Sequence, residues 1–145
     1  MVSGHGAIAS LIPHAGAMCL LESVLSWNRE SIVCRATSHR DPGNPLRSTG
    51  RLPALAAIEY AAQAMAVHHG LAGGRGRPRL GYLARLRDVA FRIDRLDDLR
   101  SDLTVTANQL AVTSASSIYR FRVAAEDREL VAGQALVVLP IESGR

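Results

Sequence analysis

The chain has 145 residues, 48% hydrophobic and 21% charged, which fits one domain spanning 1–145 and excludes a disordered chain. All 17 basic residues are arginine, so lysine Schiff-base and lysine-nucleophile chemistry are excluded. Net charge is +4 at pH 7, concentrated in GRGRPR (74–79) and onward through Arg85, Arg87, Arg92 and Arg95. That patch suits an acidic partner, but with little aromatic interleaving and no nucleic-acid motif it does not read as a nucleic-acid site.

The N-terminal stretch MVSGHGAIASLIPHAG has no basic start and no long apolar run, so it does not read as a secretory signal. Gly16 to Leu21 is short and apolar after Pro13 and suggests one helical turn. Leu21 to Trp27 and Ser31 to Thr37 read as two strands joined by a turn at Asn28, Arg29 and Glu30. Cys19 and Cys34 lie in apolar segments without CxxC spacing, so they read as reduced core residues and not as a zinc site. Ser38 to Arg51 is a polar loop punctuated by Asp-Pro, Asn-Pro and two glycines.

The loop feeds LPALAAIEYAAQAMAV, Leu52 to Val67, in which Glu59 is the only charged residue. Alanine favours helix there, and Pro53 suits its first turn. The helix is expected to stop near Gly70, with His68 and His69 in its last turn and a Gly-rich exit. It is shorter than the ~20 residues of a membrane span, so a soluble, cytoplasmic protein without a membrane partner is expected. A carboxyl in an apolar helix either stays protonated and donates a proton, or sits at the helix rim with its head in solvent or on an arginine. Glu59 is therefore the first candidate for chemistry. Gln63, one turn later on the same face, either orients that carboxyl or bonds loop backbone.

Beyond the helix the chain reads as strands. Leu80 to Ile93 carries an alternating tail of Val89, Phe91 and Ile93. Leu103 to Val112, Ser117 to Ala125 and Leu130 to Leu139 follow, with Glu126 and Asp127 as a tight turn. Two strands, one long apolar helix and three or four further strands imply an α+β hot-dog fold, an antiparallel sheet wrapped around one long central helix. Sheet edges of that kind commonly pair between subunits, so a dimer is expected.

LIPHAGAMCLLESV resembles the LLPHRYPFLLVDRV opening of bacterial 3-hydroxyacyl-acyl-carrier-protein dehydratases. LPALAAIEYAAQAMA resembles their MPGVLxxEAMAQ helix, GYLARLRDVAFR their next strand, and ELVAGQALVVL their last. The similarity runs in order along nearly the whole chain, and is closer still to the dehydratase-like subunit of aryl-polyene clusters, whose helix reads EYxAQA. The resemblance implies a dimeric hot-dog enzyme that dehydrates a 3-hydroxyacyl thioester on acyl carrier protein to the trans-2-enoyl product, without a cofactor or metal. In that family a His from one subunit removes the α proton, a helix Glu from the other protonates the leaving hydroxyl, and backbone N–H groups at the helix start polarise the carbonyl. Glu59 matches that Glu and Gln63 the family's Gln. Pro53, Ala54 and Leu55 fall at the substrate-binding helix start, with Ala54 in place of a glycine. Arg75, Arg77 and Arg79 fit docking of the acidic carrier.

The family's His falls at Pro45, fourteen residues before Glu59. Three sources of the base remain: His39, six residues earlier, a His from a paralogous partner, or none at all in a silent subunit. His14 matches a PH motif that is not the catalytic one and reads as structural, while the adjacent His68 and His69 make a poor metal pair. Tyr60 and Met65 read as packing residues. The expected function is therefore 3-hydroxyacyl thioester dehydration by Glu59 with His39 or a partner's His, in a homodimer or a heterodimer. The alternatives are hot-dog thioester hydrolysis and a non-catalytic complementing subunit.

Overall fold

The computed structural model describes residues 19–73 and 81–139. In chain order these form strands β1 (Ser23–Trp27) and β2 (Ser31–Ala36), 3-10 turns at Ser38–Arg40 and Ala54–Ala56, and helix α1 (Ala57–Ala72). Strands β3 (Tyr82–Phe91), β4 (Leu103–Val112), β5 (Ser116–Ala125) and β6 (Arg128–Val138) follow. All six strands join one antiparallel sheet in the order β1-β2-β4-β5-β6-β3. This is the hot-dog arrangement the sequence implied. Cys19–Leu21 is buried but not helical, which corrects the expected turn for its described part.

Period-2 alternation gives the sheet one apolar face. Register aligns Ile32, Ala107, Phe121 and Gly133 in one row, and Cys34, Val105, Val123 and Val131 in the next. All eight are buried, and α1 packs on β2, β4 and β5. Both cysteines are free and buried, and burial pushes the Cys34 thiol up to about 12. The outer rows are polar: Asn108, Arg120, Gln134 and Arg87 lie side by side. Glu126 and Asp127 take left-handed φ values of 49° and 65°, as a two-residue hairpin turn requires.

Strand β3 departs from the expected alternation. A bulge between Arg87 and Ala90, with Asp88 at φ 54°, throws Val89 over Gly133, where a Cβ would meet Val89 Cγ2 at 2.8 Å. The strand is also an edge of the sheet, and every residue in it except Val89 is exposed. Tyr82 is 70% exposed and Phe91 45%.

The entry to α1 is clamped, not capped. Leu52 N–H donates to Asp97 Oδ1 (2.9 Å), Leu96 N–H to Leu52 O (2.8 Å), and Ala54 N–H to Asp94 O (2.9 Å). Asp97 is paired in turn with Arg95, which holds its carboxyl well below the usual carboxylate range. No helix among the described residues is long and apolar enough to cross a membrane.

Candidate functional site

Most of α1 is buried, but one stripe is half-exposed: Glu59, Ala62, Ala66 and His69, at helical spacing. Glu59 is therefore at the rim of the helix and not within the core. One turn along, Gln63 is buried, and its Oε1 accepts the Leu20 N–H at 2.9 Å. Of the two roles open to Gln63, the backbone bond is the one observed.

At the helix start, Pro53 is exposed and Ala54 is buried with its N–H spent on Asp94 O. The Ala54 methyl thus belongs to the core. Leu55 lies in the middle of the 3-10 turn, and its side chain is 65% exposed. Leu55 is consequently the position at this end where an apolar side chain faces outward.

Loop 38–51 is fixed by a hydrogen-bond chain that the sequence did not announce. Ser38 Oγ donates to Leu20 O (2.7 Å), which uses its one proton. Tyr60 O–H must then donate to Ser38 Oγ (2.8 Å), while Asn44 Nδ2 donates to Tyr60 Oη (3.1 Å) and to Ser38 O (3.0 Å). Asn44 Oδ1 accepts the Leu46 N–H at 2.9 Å. Every partner is matched. Burial raises the Tyr60 phenol above its ordinary range. Tyr60, expected only to pack, therefore locks the loop from the helix residue next to Glu59. Pro45 follows Asn44 and is exposed.

His39 is fully buried in the 3-10 turn after β2. Its Nε2 lies 2.9 Å from Ser101 O and 3.2 Å from Leu99 O. Carbonyls only accept, so Nε2 carries the proton, and Nδ1 is buried without a hydrogen-bond partner among the described residues. Burial, reinforced by the Arg40 charge, lowers its pKa, so the neutral ring is favoured. Arg40 and Arg35 both pair with Asp102, at 2.7 and 2.9 Å, tying the same loop to β4.

His68 is also buried. Its Nε2 donates to Asn28 O (2.9 Å) and its Nδ1 accepts from Tyr119 O–H (2.7 Å), which ties the end of α1 to the β1–β2 turn and to β5. His69 differs: it is half-buried, with its ring edge-on to Tyr119 at a centroid distance of 5.5 Å. It closes a cleft of about 50 Å³ between α1 and the β3–β6 side of the sheet. Ala62, Met65 and Ala66 floor that cleft, and Gly81, Leu83 and Val137 wall it. A second cleft on the outer face lies among Arg85, Arg87, Ile118 and Leu136. His14 and the Arg75, Arg77 and Arg79 cluster lie outside the described residues.

A long helix carrying a rim carboxylate, held over an antiparallel sheet, defines a hot-dog protein of the dehydratase and thioesterase type. A family model, ApeP-like (ApeP dehydratase), matches residues 6–144, and the chain belongs to that family. A chain of the dehydratase heterocomplex ApeI:P from Xenorhabdus doucetiae superposes with a TM-score of 0.82 at 26% identity, over 94% of this chain and 92% of that one. A hypothetical thioesterase with coenzyme A from Streptococcus pneumoniae has a TM-score of 0.59 at 9% identity, over 81% and 84%. A thioesterase from Haemophilus influenzae has a TM-score of 0.62 at 9% identity, over 85% and 80%. These two share the fold. No curated protein matches the chain in sequence.

Proposed function

We propose that this chain is one subunit of a heterodimeric dehydratase acting on 3-hydroxyacyl thioesters of acyl carrier protein. Glu59 supplies the proton to the departing hydroxyl, and a paralogous subunit supplies the His that removes the α proton. The observation that carries this reading is the loop before the helix. Where dehydratases of this type hold a catalytic His, this loop has Pro45 beside an Asn44 locked by Tyr60. His39, the nearby imidazole, is buried with its N–H held by two carbonyls, so it acts as an anchor of that loop.

The β3 edge supports pairing with a second subunit. Among the described residues its backbone edge is unpaired, and Tyr82, Leu83, Leu86 and Phe91 are exposed along it, a feature that isolated proteins rarely leave uncovered. The likeness to a dehydratase heterocomplex favours a paralogue as the occupant. Because the base and the acid come from different subunits, such a dimer has one complete site instead of two. The Leu55 N–H polarises the thioester carbonyl, and the acyl chain runs along Ala62 and Ala66. Arg75, Arg77 and Arg79 dock the acidic carrier, an interaction that weakens as salt rises.

The test is mass-spectrometric detection of water loss from a 3-hydroxyacyl carrier protein by the chain, its paralogue and their mixture. Turnover is expected only where both are present, and Glu59→Gln should lower it at least ~100-fold, the minimum usual for a general acid. An unchanged rate with Glu59→Gln would remove the catalytic role. Turnover by the chain alone would return the base to His39. Free acid in place of the enoyl product would indicate hydrolysis.

A further inference from the structure

We infer that the outer face of the sheet carries an anion site, in which Arg85, Arg87 and Arg120, with Gln134 among them, bind the phosphate of a phosphate ester whose apolar body lies on Ile118 and Leu136. Strand register brings these residues together. Arg87, Gln134 and Arg120 are direct cross-strand neighbours on β3, β6 and β5, and Arg85, Leu136 and Ile118 form the adjoining row. Strands lie ~4.8 Å apart and alternate residues of one strand ~6.6 Å apart, so the three arginine Cα atoms form a triangle with sides of about 7–12 Å. A β-bulge sets the arrangement. Leu83 pairs with Val137 and Arg85 with Leu136, so Ala84 is an extra residue in β3. Without it, Arg85 would stand opposite Ala135 and Arg87 opposite Gly133, both in buried rows. The bulge turns both side chains to the outer face, where they are exposed. That face lies away from α1, so the site does not depend on the role of Glu59.

The positive charge here is not balanced within the chain. Glu129 is engaged by Arg92 and Arg122, each at 3.2 Å. Arg87 Nε is 3.9 Å from Asp88, a contact between two largely exposed side chains that water screens. Arg85 and Arg120 make no hydrogen bond or ion pair among the described residues. The chemistry of the cleft selects phosphate. Its volume of about 90 Å³, bordered by Arg85, Arg87, Gln134, Ile118 and Leu136, has room for a small polar group and not for a chain segment. Guanidinium forks match paired phosphate oxygens, and a phosphate monoester brings nearly two negative charges and three acceptor oxygens, more than one carboxylate supplies. Gln134 adds an amide donor beside the arginines. Ile118 and Leu136 offer apolar surface on one side, which gives the organic part of the ester a place to lie. A second copy of this face is a poor occupant, because it would set arginine against arginine.

The experiment is a binding comparison, independent of turnover, on the purified protein in its native assembly. Phenyl phosphate is the soluble probe, with phenol as its uncharged counterpart. Phosphatidylcholine vesicles with and without one-fifth phosphatidic acid present the same group as a lipid headgroup. Calorimetry should show phenyl phosphate binding where phenol does not. Arg85→Gln, Arg87→Gln and Arg120→Gln should each weaken binding about tenfold, the scale of one lost charge-assisted contact. Arg122→Gln removes the same charge from the same face and should leave affinity within about twofold, whereas a diffuse positive field would respond equally to all four. Capture on the phosphatidic acid vesicles that the three variants abolish and Arg122→Gln preserves assigns the phosphate to a lipid headgroup. Binding of phenyl phosphate without such capture assigns it to a soluble ester. No binding of either phosphate probe, equal binding of phenol, binding that none of the three variants weakens, or equal weakening by Arg122→Gln would overturn the inference, and the first two results need no variant to fold.

Discussion

Tyr60→Phe isolates one oxygen atom in the lock on loop 38–51. The ring, and with it the packing against the sheet, is kept. Two hydrogen bonds are lost: the one Tyr60 donates to Ser38 Oγ and the one it accepts from Asn44 Nδ2. Ser38 keeps its bond to Leu20 O, and Asn44 keeps those to Ser38 O and Leu46 N–H, so the damage is confined to one orphaned amide proton and one empty acceptor. Asn44 and Tyr60 are both buried, so water cannot freely repair them. An orphaned buried polar group costs about 1–3 kcal/mol. For a domain of this size that is a fall in Tm of roughly 3–10 °C. Differential scanning calorimetry measures the fall, and hydrogen exchange at the Leu46 amide, whose acceptor Asn44 would loosen, locates it. A Tm within about 1 °C of wild type and unchanged exchange at Leu46 would refute the assignment of Tyr60 as the lock.

Two further outcomes follow from the buried ionisable groups. His39 and His68 are both held neutral by burial, so the unfolded chain takes up their protons at a higher pH than the folded one. Their contribution to stability is complete above ~6.5, the ordinary imidazole value, and is lost as pH falls below it; urea midpoints at pH 7.5 and 5.5 should differ, and equal midpoints would refute the burial argument. Asp97 acts in a separate and more acidic window, because its lowered pKa contributes stability above the ordinary carboxylate range that is lost as pH falls below it. Asp97→Ala should lower Tm by several degrees and loosen the start of α1, whereas Asp97→Asn, which keeps the acceptor for Leu52 N–H, should do less; equal effects would mean the charge pair with Arg95 matters more than the clamp.

Much of the architecture is determined by the sequence alone, because it is written in local periodicity. Alternation in β2, β4, β5 and β6 marks their buried faces, and the alanine-rich run around Glu59 can only be a helix that needs covering on most sides. The same spacing put Glu59 and Gln63 one turn apart. What it did not carry is the direction in which each side chain ends up. Glu59 lies at the rim while Gln63 turns inward to Leu20, a difference fixed by where the helix sits on β2, β4 and β5. His39, one of three sources the sequence leaves open for the base, is buried by a segment sixty residues later in the chain, whose carbonyls at Leu99 and Ser101 hold its proton. The lock of Leu20, Ser38, Asn44 and Tyr60, the clamp of Asp97 on Leu52, and the cleft that ends at His69 likewise join residues far apart in sequence. Such contacts have no periodic signature. They exist only once the crossover from β2 through α1 to the β3 edge has folded, and that long-range geometry, not local propensity, decides which polar groups on this chain anchor it and which stay at its rim.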